Sequence, residues 1–444
     1  MKVPSSQEFN IPGHYYTSYP SLNHWREDFT GYEQSLEGFI REGRPLHLYL
    51  HIPFCKKLCH YCLCNIVISN DRTKIQFFLD HLLKEIDNLK EFSHKLDQPL
   101  HIREVHFGGG TPSHLDRQQF SQLCDGLQSI VDFSACDEIS MEIDPRTVER
   151  DDLRHYSSCG VTRISFGVQD FDLKVQEAIN RVQPPEMISN LLQERHLFKG
   201  VNFDLLYGLP LQTLDTVSNT VELTKKMAPD RITLLKYCHA PEVRRHMKLI
   251  NVSDLPAPDE LPVMFCQTTQ SLMDDGYEWV GLDHFAKTHD SLAKACRAGK
   301  LVRTFNGFQP GPTGDMIGLG PTATAAFGEV YAQSHYDLSK YYESVNKGEF
   351  PILRGYRLTH DDKLRREVIF NLLCKQESIF PDFYFSKEAL ALRNMPDICS
   401  VNENFIIVHD RVLLRNVCKV FDNKDINPEH MKIAQKTITR RAMA

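Results

Sequence analysis

Four cysteines fall within ten residues in His51-Ile-Pro-Phe-Cys55-Lys-Lys-Leu-Cys59-His-Tyr61-Cys62-Leu-Cys64. Thiolates are soft anionic ligands, and a C-x3-C-x2-C loop can set three sulfurs around one compact centre without help from distant chain. Metal ligation is the chemistry that this spacing fits. A structural zinc site is the first alternative, but Cys62-Leu63-Cys64 is too tight for a usual second knuckle. Disulfide bonding is the second, and a reducing cytosol disfavours it. The expectation is an iron-sulfur cluster on Cys55, Cys59 and Cys62. Three protein ligands on a four-iron cluster leave one iron open to hold a substrate or cofactor.

These side chains need elements to position them. Six short apolar runs alternate with amphipathic segments: 46–52, 102–107, 137–143, 163–168, 202–207 and 231–237. Between the first two, Leu79, Leu82, Leu83, Ile86 and Leu89 recur at the period of a helix with one buried face. Such alternation predicts βαβ units around a parallel sheet. Six units suit an open, partial (β/α)6 TIM-like barrel, with a doubly wound sheet as the alternative. Either architecture gathers ligands at the carboxyl ends of the strands. The polar candidates fall there: the cysteines, then Gly108-Gly109-Gly110, Glu142 with Asp144, Gln169 with Asp170, and Gly208-Leu209-Pro210.

Past residue 240 the rhythm changes. A helix is expected over 258–275 and a strand over 277–285. The Gly- and Pro-rich stretch 306–328 reads as a loop-rich lid or docking region. From residue 358 the chain reads as a small helical module, with a hairpin at 404–415. The expected organisation is an extension over the site (1–45), the barrel core (46–240), substrate-side loops (241–355) and a mainly helical domain (356–444).

Composition sets the class. The chain has 444 residues, 41% hydrophobic and 25% charged, enough for one large core with additions. A net charge of -7 without a long basic block argues against a nucleic-acid or anionic-membrane surface. The amino terminus lacks an apolar segment of signal-peptide length, so a cytoplasmic protein is expected. Of thirteen cysteines, the nine outside the cluster show no paired spacing and read as small buried hydrophobes.

C-x3-C-x2-C after a first strand and Gly-Gly-Gly-Thr-Pro after a second resemble the radical S-adenosylmethionine (SAM) superfamily. Further segments occur in order: YTSYP (16–20), MEIDPR, RISFGVQDFD, VQEAINRVQ, DLLYGLP, GLDHFA, RREVIFNLLC and LLRNVCKVFD. From about residue 11 to 421 the chain closely resembles the oxygen-independent coproporphyrinogen III oxidase family. That family oxidatively decarboxylates two propionates to vinyls in haem biosynthesis, giving protoporphyrinogen IX.

The resemblance implies a 4Fe-4S cluster on Cys55, Cys59 and Cys62 and two SAM molecules. Tyr49, Gly109 and Glu142 match contacts to the cluster-bound SAM. Tyr61, Gly110, Thr111, Gln169, Arg181 and Asp204 match contacts to the second, and Cys238 and Thr324 stand at neighbouring positions. His51, Cys64 and Asn306 fall at the catalytic centre. The chemistry agrees: Glu142 suits an amino cation, Asp204 an amine or hydroxyls, and Arg181 a carboxylate. Glycines let backbone N–H groups approach a ligand. Taken one by one, Tyr61 reads as packing, Arg181 as an ion pair, Asp144 and Asp170 as helix caps, and His239 and His284 as core histidines. Lys236, Arg244 and Arg245 read either as cations for propionates or as a solvated face.

The chain also departs from its family. Tyr15 stands where the N-terminal motif carries arginine, Cys238 where alanine is usual, Asn306 for glutamine and Thr324 for isoleucine. Two further readings therefore stand beside the oxidase: a paralogous radical SAM methyltransferase or cyclopropanase on another substrate, and a haem chaperone, which Cys64 disfavours. The implied partners are a tetrapyrrole substrate and a flavodoxin-like or other low-potential electron donor, with a monomeric enzyme and neither nucleic acid nor membrane.

Overall fold

Each of the six apolar runs forms a strand: β1 Leu46–Ile52, β2 Ile102–Gly109, β3 Glu138–Ile143, β4 Arg163–Gln169, β5 Gly200–Tyr207 and β6 Arg231–Lys236. The structure, a computed structural model, describes residues 1–11, 16–381 and 384–424. Tyr15 lies outside the described residues. The strands pair in parallel in chain order. Helices cross between them: α1 Arg72–Lys95, α2 Arg117–Leu127, α3 Arg150–Ser158, α4 Leu173–Ala178, α5 Pro185–Leu191 and α6 Leu214–Met227.

Local chemistry sets these helix starts. The Asp71 carboxylate accepts from the Thr73 and Lys74 N–H groups, and Asp116 with Gln119 and Thr213 with Thr216 form reciprocal caps. On α1, Leu79, Leu82, Ile86 and Leu89 are buried against the sheet, whereas Leu83 at the edge of that stripe is only partly covered. Each fully buried side chain of this size contributes about 1.5–3 kcal/mol, so the helix layer fixes where the core lies.

On the three middle strands the outer face is buried and the inner one is more open. On β5, Val201, Phe203, Leu205 and Tyr207 are buried beneath helices, while Asn202, Asp204 and Leu206 between them stay partly accessible. β3 and β4 show the same alternation at Ser140, Glu142, Ser165, Gly167 and Gln169. The inner face therefore lines an open, polar lumen.

Both edges of this barrel are extended. On one side β7 Tyr277–Trp279 and β8 His284–Lys287 add in antiparallel fashion to β6. The single strand expected over 277–285 is thus a hairpin, broken at 280–283. On the other side β9 Met316–Leu319 pairs in parallel with β1, and β10 Thr324–Phe327, β11 Val330–Ser334 and β12 Ile352–Arg357 continue antiparallel. The sheet has twelve strands.

The expectation of a loop-rich lid over 306–328 is corrected here, because this stretch supplies β9, β10 and part of a small hairpin, Val302–Thr304 with Gly307–Gln309. Its glycines serve close packing. A Cβ on Gly318 would lie 2.3 Å from the Thr324 carbonyl oxygen, so a residue that reads as a breaker is what lets β9 and β10 meet.

The C-terminal region is mainly helical, led by α7 His360–Lys375, with a three-stranded sheet of Glu377–Ile379, Phe405–Val408 and Cys399–Asn402. The hairpin is 399–408 instead of 404–415, because Arg411–Leu413 turns into a short 3-10 helix. Tyr16 and Tyr19 of the amino-terminal segment are buried in the same core, and the Tyr19 hydroxyl donates to Asn423 at 2.7 Å.

Candidate active site

The cysteine loop leaves the end of β1 and is closed by a two-residue parallel ladder, Phe54–Cys55 with Val67–Ile68. Neighbouring elements hold its backbone. The His60 N–H donates to Ile179 O (3.0 Å), Asn180 Nδ2 to Leu58 O (2.8 Å) and His246 Nε2 to Cys62 O (2.8 Å). Arg244 grips Leu63 O at 2.6 and 2.9 Å and Asn65 Oδ1 at 2.7 Å. Arg244 is therefore a clamp on the loop and not a free cation for a propionate. Lys236 donates to Asn10 Oδ1 at 3.0 Å, and Arg245 is exposed.

The three sulfurs have distinct surroundings. Cys55 Sγ lies 3.3 Å from Thr111 Oγ1. Cys59 is buried and receives Arg146 Nη2 at 3.4 Å and Arg181 Nη1 at 3.5 Å. Cys62 is hydrogen-bonded to Cys64, which holds the Cys62 thiol down at about 7 and pushes Cys64 up. Tyr61 packs beside Arg181, between the loop and an apolar cluster that includes Val175, Ile179 and Leu209.

Asp144 organises the two guanidiniums. It pairs with Arg146 at 2.7 Å and Arg181 at 3.4 Å. Burial alone would raise its carboxyl, but Arg181 and Arg146 outweigh that and hold it at about 2. Arg181 also gives Nη2 to Gly167 O at 2.8 Å, which leaves its Nε buried without a partner. Asp170 is structural: Gln212 Nε2 and the Asp172 N–H donate to it at 2.6 Å, and Thr220 at 3.2 Å.

Across the lumen, Tyr49, His51, His106 and Glu142 form one group. Tyr49 stacks on His106 with ring centroids 5.8 Å apart. His106 reaches Ser140 Oγ at 2.7 Å and Glu142 Oε1 at 3.1 Å. His51 Nε2 lies 3.1 Å from the Asn65 carbonyl oxygen, which can only accept, so Nε2 carries the hydrogen. Nδ1 is then the acceptor for the Tyr49 hydroxyl at 3.0 Å. Burial lowers His51 to about 4 and keeps the ring neutral. Deeper in, Asp204 accepts from Ser165 and Asn202, both at 2.9 Å, and burial followed by the nearby Glu142 charge raises its carboxyl.

Among the glycines, Gly110 acts differently from expectation. The Gly110 N–H is spent on Ile52 O at 2.8 Å and so offers nothing to a ligand. Its lack of a side chain is what matters, since a Cβ would lie 2.7 Å from Pro53 O. Gly109 has φ +116 and passes over His51, where a Cβ would come within 2.9 Å of Nδ1. Gly108 leaves space between Glu142 and Tyr49 that a Cβ would invade at 3.0 Å.

Other predicted residues are spread along the rim. Gln169 ends β4 with φ +67. Cys238 is exposed after β6, beside a Tyr237 hydroxyl to His239 hydrogen bond of 2.8 Å. Asn306 is exposed at the turn of the 302–309 hairpin, its Nδ2 3.2 Å from Met316 Sδ. That hairpin packs on His284, which Asp283 holds at 2.6 Å. Thr324 is buried within β10. Sequence reasoning missed His106, although it sits at a two-residue step from Gly108 on the same strand face, and it missed Arg146, although the MEIDPR segment contains it.

The site suits a cluster better than a single ion. Ligands of one zinc converge on a point, whereas those of a cubane bind separate corners. Two arginines against one aspartate at Cys59 leave a cationic excess for an anionic, thiolate-ligated group. Glu142 and Asp204 have no lysine or arginine partner among the described residues, so they can receive a cation, and Gly108 keeps open the space beside Glu142. The residues present therefore fit a 4Fe-4S cluster and SAM.

Comparison with known proteins agrees. The radical SAM superfamily matches residues 49–224. Oxygen-independent coproporphyrinogen III oxidase of Escherichia coli is 37% identical over 433 residues, covering 94% of each chain. Its counterpart in Pseudomonas aeruginosa is 34% identical over 436 residues, again 94% of each. The solved Escherichia coli coproporphyrinogen III oxidase, described as a radical SAM enzyme, superposes with a TM-score of 0.86 at 36% identity, covering 92% of this chain and 97% of that one. By full-length relatedness and shared architecture, this chain belongs to the oxygen-independent coproporphyrinogen III oxidase family of radical SAM proteins.

Proposed function

We propose that this chain carries out the oxygen-independent oxidation of coproporphyrinogen III, converting two propionates to vinyls with loss of carbon dioxide and giving protoporphyrinogen IX. The observation that carries this reading is the placement of Cys55, Cys59 and Cys62 at the mouth of a lumen lined by Tyr49 and Glu142, in a chain whose relatives bear that activity along their whole length. A bound cluster with SAM supplies hydrogen-atom abstraction, chemistry that no side chain can initiate.

The chain's own residues bind and orient. Cys55, Cys59 and Cys62 hold the cluster, and Glu142, braced by His106, takes the amino cation of SAM with Tyr49 against it. Tyr61, Thr111, Gln169, Arg181 and Asp204 would hold a second SAM. Neutral His51 keeps the Tyr49 hydroxyl aimed into the lumen. The same reading places the enzyme in the cytoplasm as a monomer reduced by a low-potential, flavodoxin-like donor. No helix of the described residues is long and apolar enough to cross a membrane.

The test is mass spectrometry of the products after anaerobic incubation of reconstituted protein with dithionite, SAM and coproporphyrinogen III. Protoporphyrinogen with about two 5'-deoxyadenosines per molecule is expected. 5'-deoxyadenosine without a decarboxylated porphyrin would overturn the substrate assignment and favour a methyltransferase-like activity. Haem binding without SAM turnover would favour the chaperone.

A further inference from the structure

Away from the lumen, α2 and α3 bring two thiols together with a hydroxyl and an imidazole. Cys124 and Ser121 lie on α2, His155 lies on α3, and Cys159 follows the last turn of α3. Cys159 Sγ is 3.6 Å from His155 Nε2 and 3.8 Å from Ser121 Oγ, and the Cys124 thiol hydrogen-bonds to it. His155 Nε2 also lies 2.9 Å from the Arg117 carbonyl oxygen. A carbonyl only accepts, so Nε2 carries the hydrogen and donates it there, with Ser121 Oγ 3.1 Å and Cys159 Sγ 3.6 Å from the same nitrogen. The end of a helix disfavours an anion. Here the S–H of Cys124, then the hydroxyl of Ser121, the positive charge His155 carries when protonated and the hydroxyl of Ser158, outweigh both that and burial, and they lower the Cys159 thiol to about 6. Cys124 is 2% exposed while Cys159 is partly open, so one sulfur is reachable and the other is shielded behind it.

We propose that Cys159 and Cys124 form a redox-active dithiol on the outer face of the barrel, in which Cys159 reacts first with a peroxide and Cys124 resolves it. The Cys159 thiolate attacks one peroxide oxygen, the O–O bond breaks, and the leaving hydroxide takes a proton to become water. Cys159 is then a sulfenic acid, two electrons more oxidised. The Cys124 sulfur attacks it, the S–S bond forms as the S–O bond breaks, and a second water leaves. The disulfide links the helix that follows the Gly108–Gly110 segment to the helix that follows Glu142 and Asp144. Its basis is this side-chain cluster and not the proposed porphyrin chemistry.

The test uses the cluster-loaded protein under anaerobic conditions. Before oxidation, iodoacetamide at pH 7 should alkylate Cys159 about tenfold faster than the more exposed Cys238, because the thiolate is the nucleophile. After one equivalent of hydrogen peroxide, non-reducing peptide mapping should find the Cys124 and Cys159 peptides joined with loss of two hydrogens. In Cys124→Ala, oxidation should stop at a dimedone-reactive Cys159. Cys159→Ser should abolish the linked peptide and leave Cys124 unmodified. Alkylation of Cys238 ahead of Cys159, or oxidation spread evenly over the thiols with no joined peptide, would overturn the proposal.

Discussion

At the amino ends of the strands, Arg163 pairs with Glu138 and Asp290, both at 2.8 Å, and Arg231 pairs with the same two carboxylates at 3.1 and 2.7 Å. At the carboxyl ends, Arg146 and Arg181 share only Asp144, while Glu142 and Asp204 face no arginine or lysine among the described residues. The lower cluster is neutral and enclosed. The upper one is uneven, with a cationic excess at Cys59 and, across the lumen, carboxylates held by His106, Ser165 and Asn202 without a lysine or arginine among the described residues. Burying an unbalanced charge is costly, and a fold tolerates it where a ligand completes the balance. The lower network is balanced within the protein, and the upper one leaves charge that a ligand would balance.

Breaking the upper side at its centre should have the largest effect. Cys59→Ala should take iron from about four per chain to background and abolish turnover while the chain stays folded, as read by metal analysis and circular dichroism. Retained iron would show that Cys59 is not a ligand.

Breaking the lower side should do the reverse. Arg231→Met leaves two buried carboxylates sharing one arginine, and it should cost about 3–5 kcal/mol in denaturant unfolding. The fraction that remains folded should still bind the cluster.

A subtler change sharpens the upper side. Arg146→Met removes an N–H···S contact and a positive charge from Cys59, and both favour the reduced, more negative cluster. Loss of one charged hydrogen bond, about 1.5 kcal/mol, corresponds to a fall of the midpoint potential on the order of 60 mV for one electron. An EPR-monitored redox titration would read it, and an unchanged potential would remove Arg146 from this role.

Acid should reach both ends in the same range, since Asp144 above and Glu138 below are each held at about 2. Burial would raise Glu138, but Arg231 and Arg163 outweigh it and hold the carboxyl at about 2. Its contribution is therefore complete above its ordinary value near 4.5 and is lost as pH falls toward 2. Unfolding midpoints should fall on acidification below about pH 4.5, less steeply in Glu138→Gln, which has already forfeited this contribution. The smallest effect belongs to the rim: exposed Arg245→Ala should shift stability by less than about 0.5 kcal/mol and leave the KM for coproporphyrinogen unchanged, whereas Arg244→Ala should loosen the cysteine loop.

The sequence determined what is local or periodic. The spacing of Cys55, Cys59 and Cys62 marked a ligand loop, the apolar runs marked six strands, and the strand ends marked where Glu142 and Gln169 would gather, because side-chain periods of 2 and 3.6 are written directly into the chain. The tertiary structure decided what depends on distant partners. The stretch around Gly318 reads as loop until Thr324 is seen against that glycine, Gly110 reads as a SAM contact until its N–H is found on Ile52 and Pro53 against its open side, and Arg244 reads as a propionate cation or a solvated face until it is seen holding Leu63. Arg146 gains its meaning only when Cys59, 87 positions away, comes within 3.4 Å. No periodicity encodes such a meeting; it is fixed by how helices and strands pack, and that packing also left the upper charges unbalanced and the lower ones matched.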